Sequence, residues 1–236
     1  VELETETINM LEHNYVSGKC TSCGKALMGE IYTEEGIDYI NLGMYPQTVV
    51  MNNSSLLTEL YKITERNSKG YIEYNGNEYL KITVDPEDSI DIKFNNGYTV
   101  REGEIYFFLV EPIKWRIIGE DCDSYKLLSE LVIDNIAFYN DSLNRTIDNI
   151  TIYANNYEYS NIRAWLNGYN GSSYNVSNYN NKGFINIAFN SEEIKLLKTV
   201  FVNNETTNQF TSNNTNDKVY LLSKNDISNL SLDDEL

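Results

Sequence analysis

The sequence predicts an α+β fold, mainly an antiparallel β meander with two or three short helices docked on it. Short β-branched and aromatic runs alternate with turn pairs such as Asn75-Gly76, the pattern that β-hairpins leave in a sequence. Two other segments follow a helix-capping serine, and their apolar residues recur at helical spacing. Strands do not alternate with long helices, so a parallel α/β sheet is not expected.

The strand pattern starts after residue 35, and it divides the chain into two predicted parts. Residues 1–35 form a Cys-pair tail or minimodule, and residues 36–236 form the main domain. The predicted elements of the main domain begin with a strand over 37–43 and a helix from Ser54 or Ser55 to Arg66. The meander then has strands over 71–74, 79–84, 89–94, 105–111 and 114–119.

The second half of the main domain continues with short elements. Ile162, Trp165 and Leu166 share one face of a predicted helix that Ser160 caps, so this helix should dock on the sheet. The predicted elements, in order, are a strand over 125–129 that leads into 131–136, a polar loop over 140–156, the helix over 161–167, a second helix over 192–198 capped by Ser191, strands over 200–203 and 218–222, and a helical turn from Ser223.

The composition indicates a folded, strongly acidic chain. Of 236 residues, 41% are hydrophobic and 19 are Tyr, a content that disordered chains rarely reach. The 35 Asp and Glu outnumber the 18 Lys and Arg and give a net charge of −17. Because nucleic acids and anionic lipids are bound through Lys and Arg, we expect no nucleic-acid partner. Since no apolar run approaches about 20 residues, we expect no membrane insertion.

The strongest chemical motif lies in the tail, where His13 precedes the Cys20-Thr21-Ser22-Cys23-Gly24 segment. A Cys-x-x-Cys-Gly turn can direct two thiolates at one zinc ion, with His13 as a third ligand. A closed structural site needs four ligands, so three interpretations stay open: a structural zinc ion, a Cys20–Cys23 disulfide or free thiol pair, and redox chemistry.

Other chemistry has little support in the sequence. With a single His, a catalytic triad would have to use the terminal tail, and there is no Gly-rich phosphate loop or metalloprotease helix, so we predict a protein that is not an enzyme. An Asn- and Tyr-rich stretch offers Tyr169, Tyr174 and Tyr179 as candidate ligand-binding residues, because aromatic faces and amides suit polar ligands. The alternative is a solvated surface loop.

Six ordered segments resemble the DUF6273 family, a bacterial domain of unknown function. The segments are Leu42-Gly43-Met44-Tyr45-Pro46-Gln47, Glu111-Pro112-Ile113-Lys114-Trp115-Arg116-Ile117-Ile118, Lys126-Leu127-Leu128-Ser129, Tyr159-Ser160-Asn161-Ile162-Arg163-Ala164-Trp165-Leu166-Asn167, Ala188-Phe189-Asn190-Ser191-Glu192-Glu193 and Lys218-Val219-Tyr220-Leu221-Leu222-Ser223. The resemblance implies a C-type-lectin-like architecture. The family's closing segments do not follow before Leu236, so we expect the C-terminal part of that domain to be missing.

The tail resembles a short His and Cys-pair module of bacterial surface proteins, which implies an extracellular or cell-surface location. Together these observations predict a non-enzymatic, extracytoplasmic binding or interaction module whose partner is a polar ligand, a glycan or a protein. Two alternatives remain, an enzyme related to the lectin-fold sulfatase-modifying oxidoreductases and a structural spacer. Fold analogy alone does not decide among them.

Overall fold

The computed structural model describes residues 15–16, 19–20, 29–51, 54–84, 93, 99–101, 103–139, 144–204 and 212–229. The strands are β1 (Tyr15–Val16), β2 (Lys19–Cys20), β3 (Tyr32–Glu34), β4 (Ile37–Val49), β5 (Ile72–Tyr74), β6 (Asn77–Thr83), β7 (Ile105–Asp121), β8 (Ser124–Ser129), β9 (Arg145–Ile147), β10 (Ile150–Ile152), β11 (Val200–Val202) and β12 (Thr215–Asp217). The helices are α1 (Ser55–Lys62), α2 (Asn161–Asn167), α3 (Phe184–Ala188), α4 (Ser191–Leu196) and α5 (Lys224–Asn229), with a 3-10 turn at Ser172–Tyr174.

A six-stranded antiparallel sheet forms the centre of the fold, in the order β3-β4-β7-β6-β5, with β8 also paired to β7. Along one edge β7 pairs with β4, and along the other it pairs with β6 at its start and β8 at its end. The predicted α+β class is therefore confirmed. The order departs from a simple meander, because β4 pairs with β7 and not with β5, the strand that follows it.

The two longest strands pass through prolines at which the sequence had suggested an end. Pro46 lies opposite Val110 and Pro112 lies opposite Met44, next to register shifts in the β4–β7 ladder. Such irregularities tolerate proline because a missing N–H costs no ladder hydrogen bond there. The runs predicted over 105–111 and 114–119 are consequently one strand, β7, and the run over 37–43 extends to residue 49.

A first hydrophobic cluster lies between α1 and the β5–β6–β7 part of the sheet. Its fully or almost fully buried members are Leu60, Ile72, Tyr79 and Phe107. The helix starts where Ser54 Oγ accepts a hydrogen bond from the Leu57 N–H at 3.1 Å, as the capping pattern predicts. It ends at Lys62, one turn earlier than predicted.

A second, larger cluster joins the sheet to α2 and α3. It contains Leu42, Tyr45, Ile113, Trp165, Leu166, Phe184, Ile185, Ala188 and Phe189. Trp165 is 8% exposed, and its ring centroid lies 5.4 Å from that of Phe184. The helix predicted over 161–167, with Ser160 as its N-cap, is therefore present and docked. The helix α3, which packs against α2, has no capping side chain, and it was not predicted because that signal is missing.

Elsewhere in the second half the structure corrects several predicted elements. The stretch predicted as a polar loop over 140–156 contains the β9–β10 hairpin, whose turn places Asp148 and Asn149 at positive φ. Asn190, and not Ser191, caps α4 through a capping box with Glu193. Residues 131–136 and 218–222 contain no strand. The strand predicted over 89–94 falls almost wholly outside the described residues.

The domain boundary near residue 35 stays a prediction. No helix in the described part of the chain is long and apolar enough to cross a bilayer.

Candidate functional site

Four half-buried side chains and one exposed amide meet on the surface of the C-terminal half, and we call them the tyrosine–arginine cluster. They are Tyr139, Arg145, Tyr159, Tyr174 and Asn175. The Cζ atom of Arg145 lies 3.8 Å from the ring centroid of Tyr139, so the guanidinium sits over that ring. Nη2 of Arg145 also donates a hydrogen bond to the main-chain carbonyl oxygen of Tyr159.

Two aromatic rings and an amide complete the cluster. The rings of Tyr159 and Tyr174 are 4.7 Å apart at an angle of 51°. Asn175 Nδ2 donates to the Tyr139 hydroxyl at 3.1 Å. Asn175 has a φ of 59°, a left-handed conformation that Asn adopts more readily than most residues, and it ends the 3-10 turn. This turn therefore brings Tyr174 and Asn175 together at the surface.

The Arg145 guanidinium is only partly used by the protein. Its Nε and Nη1 atoms are buried and have no hydrogen-bond partner, and no carboxylate of the described residues forms an ion pair with it. Burial lowers the pKa of this guanidinium from its usual value. An arginine nevertheless stays protonated at any physiological pH. The cluster thus holds a permanent positive charge over the Tyr139 ring, with two nitrogens that have no hydrogen-bond partner.

A buried ion pair supports the segments that carry the cluster. Both carboxylate oxygens of Asp217 accept from Nε of Arg163, at 2.9 and 3.1 Å, and one accepts from the Thr215 hydroxyl at 2.6 Å. Nη1 of Arg163 donates to the Glu158 carbonyl oxygen at 2.9 Å. These bonds connect β12 to α2 and to the residue that precedes Tyr159.

Side-chain amides of α2 hold the loop that follows the helix. Asn161 Nδ2 donates to the Tyr179 hydroxyl at 3.1 Å, and its Oδ1 accepts from the Ser177 N–H at 3.2 Å. Asn167 Nδ2 donates to the Val219 carbonyl oxygen at 2.9 Å. The loop around the 3-10 turn is therefore anchored on a rigid element, which suits a binding surface.

The structure separates the three tyrosines proposed from the sequence as ligand-binding residues. Tyr174 lies in the tyrosine–arginine cluster. Tyr169 lies beside Arg163, whose Nη1 donates to its hydroxyl at 3.3 Å, and burial raises its pKa. Tyr179 packs against the larger hydrophobic cluster. Their role in binding stays a prediction, but only Tyr174 shares a surface with Arg145.

Sequence reasoning missed Tyr139, Arg145 and Tyr159. Arg145 lies within the stretch that was interpreted as a loop, Tyr139 and Tyr159 lie on either side of it, and the contacts among all three depend on tertiary packing. An arginine within a predicted loop of so acidic a chain is the one signal that could have drawn attention to this place.

The predicted zinc site falls largely outside the described residues and stays a prediction. His13 and Cys23 lie outside the described residues, and Cys20 is described only as the end of strand β2, which pairs with β1. The described residues contain no group of three or more His, Cys, Asp or Glu side chains that could hold a metal ion. Cys122 is an exposed free thiol in the β7–β8 turn.

A second surface, a depression of about 550 Å³ at the sheet edge, is lined by Glu34, Glu35, Tyr39, Lys114 and Glu130. Three of its four charged side chains are paired within the protein. Lys114 pairs with Glu34, and Glu130 accepts from Nε of Arg116 at 3.0 Å, which holds the Glu130 pKa below its usual value. We therefore regard the tyrosine–arginine cluster as the better candidate site.

Comparison with known proteins places this site within a recognised domain. No curated protein and no solved structure matches the chain at a significant level. A family model described as a domain of unknown function, DUF6273, matches residues 123–235. This range contains all five residues of the tyrosine–arginine cluster as well as the Arg163–Asp217 pair. The resemblance inferred from the sequence is thus confirmed for the C-terminal half of the chain, where residues 123–235 match the DUF6273 model.

Proposed function

We propose that this protein is a non-enzymatic binding module that takes a glycan at the tyrosine–arginine cluster. One observation carries the proposal: the Arg145 guanidinium, of which two nitrogens have no hydrogen-bond partner, is bonded to the main-chain carbonyl oxygen of Tyr159, whose ring pairs with that of Tyr174. Tyrosine rings supply flat apolar faces for sugar C–H groups, while the hydroxyls and the Asn175 amide hydrogen-bond to sugar hydroxyls. Such mixed surfaces on anchored loops are typical of binding sites for polar ligands.

The architecture is consistent with binding rather than chemistry. The described side chains of the cluster include no nucleophile paired with a base and no pair of carboxylates, the groups that most hydrolases need. The enzyme alternative would be favoured instead if purified protein turned over a thiol or sulfatase-peptide substrate in a manner that depends on Cys122.

A glycan array probed with the labelled protein tests the proposal. We expect at least one glycan to be retained, and we expect Tyr174→Ala to weaken its binding about tenfold, which corresponds to about 1.4 kcal/mol for one lost stacking contact. Tyr125→Ala is the matched control, because Tyr125 is a 40% exposed tyrosine on β8, outside the cluster. Retention of no glycan, or an equal loss in both variants, would contradict the proposal.

We further propose a C-type-lectin-like domain that acts outside the cytoplasm, as a part of a bacterial surface protein. The family resemblance supports the first point, and the resemblance of the tail to a surface-protein module supports the second. Antibody labelling of intact and permeabilised cells of the source organism checks the location. Signal that appears only after permeabilisation would exclude it.

Zinc at the tail is the remaining proposal, and it rests on the spacing of His13, Cys20 and Cys23. Protein purified without chelators should contain no more than one zinc ion per chain, and Cys20→Ser should lose it. Elemental analysis of both proteins provides the check. Metal content that this substitution leaves unchanged would rule the site out, and Cys122→Ser serves as the thiol control.

A further inference from the structure

Arg145 carries more donor capacity than its surroundings use. A guanidinium has five N–H groups, and its partners in the structure are the main-chain carbonyl oxygen of Tyr159 and the side chain of Tyr139. Its Nε and Nη1 atoms are buried without any hydrogen-bond partner. Because a buried donor without an acceptor costs free energy, native proteins keep few of them, and those that persist call for an explanation.

The same domain shows what a structural arginine receives. Arg163 meets both carboxylate oxygens of Asp217 at 2.9 and 3.1 Å, and it also donates to the Glu158 carbonyl oxygen. Both of those bonds come from one nitrogen, Nε, and they are charge-assisted because donor and acceptor are ionised. Arg145 has no such partner among the described residues, although Asp and Glu outnumber Lys and Arg by 35 to 18 in the chain.

The groups around Arg145 suit a sugar ring better than a peptide. The cluster offers the rings of Tyr159 and Tyr174, the Tyr139 hydroxyl and the exposed Asn175 amide. Peptide grooves typically add pockets that accept individual apolar side chains. The side chains of the cluster other than Arg145 are neutral. The carboxylate of Glu158 lies beside the Tyr159 hydroxyl.

We propose that the glycan carries a carboxylate, as a uronic acid does, and that Arg145 is the residue that receives it. This assignment rests on the proposed glycan-binding function and specifies its ligand class. The carboxylate would occupy the fork of Nη2 with either Nε or Nη1, while the pyranose ring lies against Tyr159 and Tyr174. Since both unpaired nitrogens are buried, a neighbouring side chain must rotate aside, and Tyr139 is the ring that lies on the guanidinium.

The net negative charge of the chain opposes the binding of an acidic ligand, so it makes a preference for such a ligand informative. A protein with a net charge of −17 repels an acidic ligand at long range. A preference for an acidic sugar therefore cannot come from the overall field and must come from a local group. At 0.15 M salt the Debye length is about 8 Å, so such a preference reports on groups close to the ligand.

Calorimetric titration with three oligosaccharides of equal length and linkage provides the test. The probes are an oligogalacturonate, its methyl ester and the neutral galactose oligomer. We expect the acid to bind at least tenfold more tightly than the ester and the neutral form. We expect Arg145→Gln to remove that difference, Arg145→Lys to restore part of it, and Arg66→Gln to leave it intact, because Arg66 is an exposed arginine in another part of the fold.

The outcomes separate the inference from the proposed function. Equal binding of acid and ester, or a preference that survives Arg145→Gln, would overturn the role of Arg145. If neutral glycans then still bind in a manner that depends on Tyr174, the proposed function stands and only the ligand class is wrong. If no glycan binds at all, both proposals fail. The comparison of acid with ester uses the unaltered chain, so it decides the question even where a variant does not fold.

Discussion

Arg163 and Arg145 lie in the same domain and differ in what surrounds them. Arg163 faces a carboxylate that is 2% exposed and meets it with two bonds, whereas Arg145 lies over a tyrosine ring and leaves two buried nitrogens unpaired. One arginine is satisfied by the fold itself, and the other is not. The contrast teaches that the chain can build a well-paired arginine site, so the incomplete site at Arg145 is a property to be explained by function.

The largest expected effect comes from breaking the complete site. Asp217→Ala leaves the Arg163 guanidinium without its partner, and the loss of one member of a buried pair typically costs about 3–5 kcal/mol. Urea unfolding of the variant measures this loss. A double change, Arg163→Met with Asp217→Leu, should cost less than Asp217→Ala alone, because no charge is then left unpaired. A loss below about 1 kcal/mol in the single variant would show that Arg163 is not held by this pair.

An intermediate effect is expected from Tyr157, a tyrosine near the same pair. Burial raises its pKa, and the charge of Asp217 adds to the shift. An unfolded tyrosine ionises near pH 10, so the contribution of Tyr157 to stability is complete below pH 10 and declines above it. The decline for one group is at most about 1.4 kcal/mol per pH unit.

Urea unfolding at pH 8, 10 and 11 measures that decline. The free energy of unfolding of Tyr157→Phe should fall less steeply with pH than that of the unaltered protein. Tyr125→Phe, at an exposed tyrosine, should show the same pH dependence as the unaltered protein. Burial also raises the pKa of Tyr71 to about 12, so part of the alkaline decline should remain in every variant. If the free energy of unfolding of Tyr157→Phe has the same dependence on pH as that of the unaltered protein, the surroundings of Tyr157 and Arg163 are open to solvent.

The smallest effect is expected at the incomplete site. Arg145→Gln removes a guanidinium that bonds one main-chain carbonyl oxygen, lies over the Tyr139 ring and leaves two buried nitrogens unpaired, so we expect a change in unfolding free energy below about 1 kcal/mol, of either sign. Sites that are kept for binding often lower stability. A loss of about 3 kcal/mol or more in the free energy of unfolding would show that Arg145 is a structural residue like Arg163, and the proposed difference between the two arginines would be wrong.

The sequence predicted those parts of the fold that local signals determine. The helix at Asn161–Asn167 follows from its capping serine and from apolar residues at helical spacing, and α1 follows from Ser54 in the same way. The long strand β7 could not be predicted as one element, because Pro112 reads as a break and only the bulged partner strand β4 shows why it is tolerated.

The candidate site was predictable only in part. Tyr174 stands in a stretch whose composition indicates ligand contacts, and the structure places it in the tyrosine–arginine cluster. Arg145 is a candidate site residue because tertiary packing brings it together with Tyr139, Tyr159 and the loop of Asn175. No spacing rule connects these positions, so the sequence offered no reason to group them.

The larger hydrophobic cluster has a consequence for how this domain can be moved between proteins. The DUF6273 match starts at residue 123, yet Leu42, Tyr45 and Ile113, which lie before it, pack with Trp165 and Phe184 from within it. A fragment excised at residue 123 would keep the family's signature and expose the apolar faces of α2 and α3 to water. A fragment that folds on its own, or that is transferred to another host protein, must therefore include strands β4 and β7.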